Sequence, residues 1–206
     1  MAGINATIFN IAELMVTLYP AFIIMFLLIV SIFNQTIVKG VIYFSGIMLC
    51  HIVWLLLARL FPSNERDPSA PVTCDLINFP SLNYSIPNRP AMLTCFTLIY
   101  LLLPMLNNMT MLFNPVVIIV LSLFTVLNML YQYKNKCSGM LGVLLGAIIG
   151  IKLGLLWFII FWSAGKKDLL FYNELASNNV VCSKPSRQTF KCSVYKNGEV
   201  ISSSVV

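Results

Sequence analysis

The stretch GMLGVLLGAIIGIKLGLLWFIIFW, residues 139–162, is almost entirely apolar and carries a single charge, Lys152. A helix of roughly 20 mainly apolar residues can cross the hydrocarbon core of a bilayer. Glycines recur here at four-residue spacing, which places them along one stripe of a helix. Small-residue stripes let helix backbones approach closely in membranes, so we expect a helix-packing seam. The stripe consists of Gly142, Gly146, Gly150 and Gly154.

Four other apolar stretches precede this one, and together they indicate the fold class. The chain is 59% hydrophobic and 10% charged, whereas soluble domains carry about 25% charged residues. Because Met1–Thr7 lacks the basic residues that begin a secretory signal, we expect the first span to remain in the mature protein. The sequence predicts an all-α, multi-pass integral membrane protein with a bundle of about five transmembrane helices. The predicted spans are Ile8–Phe33, Val41–Phe61, Ala91–Leu106, Met111–Tyr131 and Gly139–Trp162, the third being the shortest.

The polar remainder divides into one long loop and one tail. Residues 1–163 form the predicted bundle, and the loop 62–90 holds six prolines, which favour a shaped cap over one mouth of the bundle. Residues 164–206 read as a small soluble tail outside the membrane. Within this tail, residues from about 188 to 201 alternate around an Asn197-Gly198 turn, which predicts a β-hairpin.

The net charge of +6 bears on partners and on sidedness. Basic residues beside membrane spans favour contact with anionic lipid head groups, so membrane lipids are the expected partners. Nucleic-acid binding would need denser basic clusters with aromatics, and we expect none. Oligomers and other membrane proteins remain open as partners. Positive charge near the spans leans toward a cytoplasmic long loop, with Arg59, Arg66, Arg89, Lys134 and Lys136 on that side and Lys39, Lys166 and Lys167 on the other.

Six cysteines are too few and too scattered for a disulfide scaffold. Five spans place Cys74 and Cys137 on one side of the membrane and Cys182 and Cys192 on the other. Either pair could form a disulfide, but only the pair on the oxidising side would do so.

Three ionisable side chains fall inside predicted spans: Glu13, His51 and Lys152. Such residues are costly in hydrocarbon and point by default to function. Each also has a structural interpretation. Glu13 lies near the interface, His51 can be a hydrogen-bonded packing residue, and Lys152 can extend along its helix toward the interface. A relay among the three would instead indicate a small carrier or pore.

Motifs of soluble enzymes are missing from the sequence. It contains no glycine-rich phosphate loop, no cluster of metal ligands and no Cys-x-x-Cys pair, so we expect no cofactor and no metal. The single histidine lies within a span. Pairings of a serine or cysteine nucleophile with a histidine base therefore have no base at the membrane surface.

Three short segments flank the later spans: Arg59 with Arg66-Asp67-Pro68, Tyr84–Met92, and Gln132–Gly142. In their order they resemble the motifs of the type 2 phosphatidic acid phosphatase superfamily, whose members hydrolyse lipid and polyprenyl phosphates within the membrane. The resemblance runs from about Val53 to Trp157. It implies that the first segment keeps part of a phosphate-holding charge.

The same resemblance implies that the catalytic groups are lost. Asn88, Arg89 and Pro90 stand where the family has Ser, Gly and the acid His. Gln132, Ser138 and Gly142 stand where it has Arg, the nucleophilic His and an orienting Asp. Such reduced copies are of the kind carried by large DNA viruses, which would imply a host endomembrane or a virion membrane.

The leading hypothesis is a catalytically inactive, phosphatase-like membrane protein that binds lipid head groups or has a structural role. The anion-binding residues would be Arg59, Arg66, Arg89, Lys134, Lys136 and Ser138. A first alternative is a divergent but active lipid or polyprenyl phosphate phosphatase, with Ser138 or Cys137 as substitute nucleophile. A second alternative is a carrier or pore that uses Glu13, His51 and Lys152.

Overall fold

The computed structural model describes residues 8–60, 70, 74, 84–107, 115–171, 191–196 and 199–205. Within these residues five helices are long and apolar enough to cross a membrane, as expected of a multi-pass integral membrane protein. The predicted fold class is confirmed. The helices are α1 (Ile8–Phe33), α2 (Ile37–Leu60), α3 (Arg89–Asn107), α4 (Pro115–Lys134) and α5 (Met140–Ser163).

The turn between α1 and α2 is tighter than the sequence indicated, so α2 begins at Ile37 instead of Val41. The Ser31 hydroxyl donates to the Thr36 carbonyl oxygen at 2.6 Å and accepts from the Gly40 backbone N–H at 3.0 Å. This one side chain satisfies polar groups at the ends of both helices. The chain therefore re-enters a helix within three residues of Phe33.

Helix α4 also differs from its predicted span of Met111–Tyr131. It begins at Pro115, where the fixed backbone angle of proline and its missing N–H suit the first position of a helix. It continues to Lys134, so the polar residues after Tyr131 still belong to the helix. The first four residues of the predicted span lie outside the described residues.

Helix α3, the shortest span, lies at the centre of the bundle and packs against all four other helices. Residues 90–97 of this helix are all buried, and Ala91, Phe96 and Tyr100 are fully inaccessible. The apolar residues of the other four helices include many outward-facing side chains, which would contact lipid. Because α3 is surrounded by protein, it can carry Thr94 and Thr97, whose hydroxyls donate to carbonyls of the preceding turn.

The glycine stripe of α5 forms the contact with α3. A methyl group at Gly146 would overlap the carbonyl oxygen of Asn88, and one at Gly150 would overlap that of Met92. One turn further, a methyl at Gly154 would come within 2.9 Å of the Phe96 carbonyl oxygen. The α3 carbonyls at four-residue spacing thus lie directly on the stripe. Backbone contact of this closeness requires glycine.

Hydrogen bonds between side chains and neighbouring helices complete the bundle. The Asn128 amide on α4 donates to the Val16 carbonyl of α1 at 2.7 Å, and the Tyr19 hydroxyl donates to the Leu121 carbonyl at 3.2 Å. The Tyr43 and Thr97 hydroxyls join α2 to α3 at 2.9 Å. Interhelical hydrogen bonds of this kind contribute about 0.6 to 2 kcal/mol each in membranes.

The chain divides into two compact units, Met1–Ala176 and Ser177–Val206. The predicted division at residue 164 falls earlier, because the segment after α5 belongs to the first unit. A short 3₁₀ helix, Lys167–Leu169, follows α5. Leu170 and Phe171 are then buried, with the Phe171 ring edge-on to Tyr43 at 6.2 Å.

The second unit contains the antiparallel hairpin that the Asn-Gly turn signal predicted. Strand β1 is Lys191–Lys196 and strand β2 is Glu199–Val205. Lys196 pairs with Glu199, and the register shifts between Val194 and Tyr195. The second strand extends beyond the predicted end at about residue 201, and the two residues of the turn itself lie outside the described residues.

Replacing Gly150 with alanine should destabilise the bundle, because the added methyl group forces α3 and α5 apart. We expect a loss of about 1–3 kcal/mol, the usual cost of overpacking a close contact. Thermal unfolding of the purified protein in detergent measures it. Gly139→Ala is the matched control, because nothing lies within 4 Å of a methyl group there. Equal stability of the two variants would contradict the packing of α3 on the stripe.

Candidate functional site

The segments that carry the second and third resembling motifs face each other at one end of α3 and α5. The Asn88 backbone N–H donates to the Gly142 carbonyl oxygen at 2.9 Å. The Ser138 hydroxyl donates to the Ser85 carbonyl oxygen at 2.5 Å. These bonds follow from the glycine seam, which sets the start of α3 beside the start of α5.

Four positions of the second and third resembling segments form a hydrogen-bonded network, which we call the polar network: Asn88, Gln132, Ser138 and Gly142. The Asn88 side chain donates to Gln132 Oε1 at 3.3 Å, and the Ser138 backbone N–H donates to the Gln132 carbonyl at 3.2 Å. Asn88, Gln132 and Ser138 are 4%, 2% and 2% exposed. A ligand outside the protein has almost no access to them.

Asn88 has a further role at the beginning of α3. Its side-chain oxygen accepts a hydrogen bond from the Ala91 backbone N–H at 2.9 Å, as a helix N-cap residue does. Pro90, where the family has its acid histidine, is buried in the first turn. Both residue types are common at the beginning of a helix, and neither side chain can act as a general acid.

Cys74 of the long loop is joined by a disulfide to Cys137, the residue before Ser138. Their Cα atoms are 5.5 Å apart, and both side chains are buried. The bond ties the loop to the α4–α5 turn across 63 residues of sequence. Constraining a loop of this length is worth about 4 kcal/mol in the chain-entropy account. Of the other predicted pair, Cys182 lies outside the described residues.

The predicted anion-binding cations differ in their surroundings among the described residues. Arg59, Lys134 and Lys136 are exposed at helix ends or in the α4–α5 turn. Arg89 is half-buried, with its guanidinium carbon 5.4 Å from the ring centre of Trp54 on α2. Arg66 lies outside the described residues. The structure thus separates Arg89, which contacts α2, from the exposed lysines at the end of α4.

The three intramembrane ionisable residues lie on three different helices. Lys152 is exposed on α5, Glu13 is half-buried on α1, and the His51 ring stacks on Trp54 with ring centres 5.7 Å apart. In the part of the chain that the structure describes, no hydrogen bond or ion pair joins these three side chains.

Sequence reasoning missed the importance of Trp54. This buried residue donates its indole N–H to the Pro87 carbonyl oxygen at 2.8 Å and contacts both His51 and Arg89. A signal was present, because Trp54 follows the only histidine by three residues and so shares its helix face. Its partners on the loop before α3 could not be read from the sequence.

No group of three or more metal-ligating side chains occurs among the described residues. Comparisons with protein-family models, with curated proteins and with solved structures find no match to the chain. Class and architecture therefore rest on the five spanning helices, and the phosphatase resemblance stays a prediction.

Replacing Asn88 with alanine should lower stability by about 1–2 kcal/mol, because the helix cap and the bond to Gln132 are both lost. Asn88→Ser keeps a capping oxygen and should cost less. Thermal unfolding in the same detergent ranks the variants. If alanine leaves the midpoint unchanged, the polar network has no structural role.

Proposed function

We propose that this protein is a multi-pass membrane protein without phosphatase activity, whose phosphatase-like core binds lipid head groups or serves as a structural membrane component. One observation carries the proposal. Of the positions that the resemblance marks as catalytic, Gln132, Ser138 and Gly142 belong with Asn88 to the buried polar network, and Pro90 is buried in the first turn of α3. Their polar groups stabilise the meeting of α3, α4 and α5.

The chemistry of the remaining residues supports the absence of catalysis. A phosphohistidine mechanism needs an imidazole nucleophile and a proton donor to the leaving alkoxide. The only imidazole, His51, lies within α2 and stacks on Trp54. Ser138, one substitute nucleophile, donates its hydroxyl hydrogen bond to the Ser85 backbone carbonyl, and no hydrogen bond joins it to a basic side chain among the described residues. Cys137, the other, is held in the disulfide.

Head-group binding is supported by the exposed cations on the long-loop side. Arg59 ends α2, Lys134 ends α4, and Lys136 lies in the following turn. Cations at the membrane surface attract anionic lipid without a shaped pocket. This surface is separate from the buried polar network, so lipid attraction does not need the old catalytic positions.

The disulfide supports an assignment of sidedness that opposes the charge-based prediction. A structural disulfide forms in an oxidising compartment. The side that carries the long loop and the α4–α5 turn would then face the lumen or the exterior, and the end of α5 at Ser163 would face the reducing side. The charge bias was weak, whereas the bond between Cys74 and Cys137 is a specific contact.

The test of this proposal is a phosphate-release assay. The purified protein, in vesicles that contain phosphatidate or a polyprenyl diphosphate, should release no phosphate above protein-free vesicles. An active membrane phosphatase in matched vesicles verifies the assay. Binding should favour phosphatidate over phosphatidylcholine and weaken in a Lys134→Gln, Lys136→Gln double variant.

Release of phosphate that disappears in Ser138→Ala would refute the inactive assignment and favour the divergent phosphatase. Release that persists in Ser138→Ala would leave Cys137 as the candidate nucleophile and would equally refute the inactive assignment.

A further inference from the structure

A groove of about 230 Å³ opens between α1, α2 and α3. Its walls are apolar over most of their length, with Met25 from α1 and Phe44 and Ile47 from α2. Two basic side chains, His51 and Arg89, also line it. Neither the polar network nor the exposed lysines of α4 belong to this groove.

The two basic residues lie at one end of the groove. Contact between Ser31 and Gly40 fixes how α1 and α2 run side by side, which places Pro20 level with His51. Phe44 precedes His51 by seven residues, or about 10 Å along the helix toward the α1–α2 turn. The groove therefore has a basic end toward the long-loop side and an apolar end toward the membrane interior.

Both basic groups are positioned by Trp54. The indole is anchored by its hydrogen bond to Pro87, the His51 ring lies parallel to it within 14°, and the Arg89 guanidinium lies over it. A guanidinium presents a planar fork of donors that matches phosphate oxygens. His51 Nδ1 has no hydrogen-bond partner among the described residues, so the imidazole retains unused hydrogen-bonding capacity.

We propose that this groove binds one anionic phospholipid of the leaflet on the long-loop side. Its phosphate lies against Arg89 and His51, and the first part of one acyl chain lies along Phe44, Ile47 and Met25. The polarity of the groove matches a lipid in that leaflet, with its head toward the surface and its tail toward the midplane. The inference rests on the proposed lipid-binding function and assigns it a specific site.

The size and depth of the groove agree with a lipid that is only partly enclosed. A volume of about 230 Å³ is below the roughly 300–1,000 Å³ of sites that enclose a small ligand. The rest of the lipid would remain in the bilayer. A guanidinium at this depth is costly in hydrocarbon, and a lipid phosphate accepts its hydrogen bonds.

The experiment uses the full-length protein in phosphatidylcholine nanodiscs that contain a trace of phosphatidate with a photoreactive group on its acyl chain. After illumination, mass spectrometry locates the labelled residues. We expect labelling on α1 and α2 around Met25 and Phe44. Arg89→Gln should reduce it about tenfold, the effect of losing a hydrogen bond to a charged group.

A second variant tests whether the lipid occupies the groove without removing a basic group. Ala21 lines the groove, so Ala21→Trp should block the acyl chain while keeping both basic groups. Ala12→Trp, on the exposed face of α1, and Lys166→Gln, beyond the other end of α5, should leave labelling unchanged. Retention of the Cys74–Cys137 disulfide shows that each variant has folded.

Labelling that persists in folded Arg89→Gln and Ala21→Trp variants would overturn the proposal. So would complete displacement by inorganic phosphate, which would indicate a free-anion site. Labelling confined to the Lys134–Lys136 region would reject the groove and leave the proposed function intact. Phosphate release, in contrast, rejects the proposed function whether or not the groove is labelled.

Discussion

The close contact between the α3 backbone and the glycine stripe of α5 is the constraint on which the rest of the structure depends. Three carbonyls at four-residue spacing, that of the N-cap Asn88 and those of Met92 and Phe96 within α3, lie where side chains on α5 would otherwise be. This contact makes α3 the central helix. It also fixes the height at which α3 begins, beside the start of α5.

At the beginning of α3, two neighbouring side chains contact different parts of the bundle. The Asn88 side chain joins Gln132 and the polar network, whereas Arg89 contacts Trp54 on α2. Successive helical residues point about 100° apart, so neighbours in sequence serve different surfaces. The side chains of the polar network form hydrogen bonds to one another and are buried. Where α3 faces α2, in contrast, a groove remains with basic side chains at one end. The sequence prediction grouped Arg89 with Lys134 and Lys136, whereas the Arg89 guanidinium lies over Trp54 of α2 and both lysines are exposed.

Much of the fold was predictable because hydrocarbon imposes a length and a composition on each span. The α5 seam was also readable, since the four-residue spacing of its glycines has one helical interpretation. The central position of α3 in the bundle could not be predicted from the sequence, because apolar side chains pack equally well against protein and against lipid. The groove depends on residues as distant as Pro20, His51 and Arg89, which only the packing of three helices brings together.

The buried amide of Gln132 and hydroxyl of Ser138 occupy two of the positions where the predicted resemblance would place catalytic groups. The account depends on α3 packing against the glycine stripe, and solid-state NMR of the protein in lipid measures this contact directly. With labelled methionine carbonyls and glycine α-carbons, we predict a through-space correlation between Met92 and Gly150 that disappears in Met92→Leu. Absence of this correlation, in spectra that show the sequential pair Gly139 and Met140, would contradict the account.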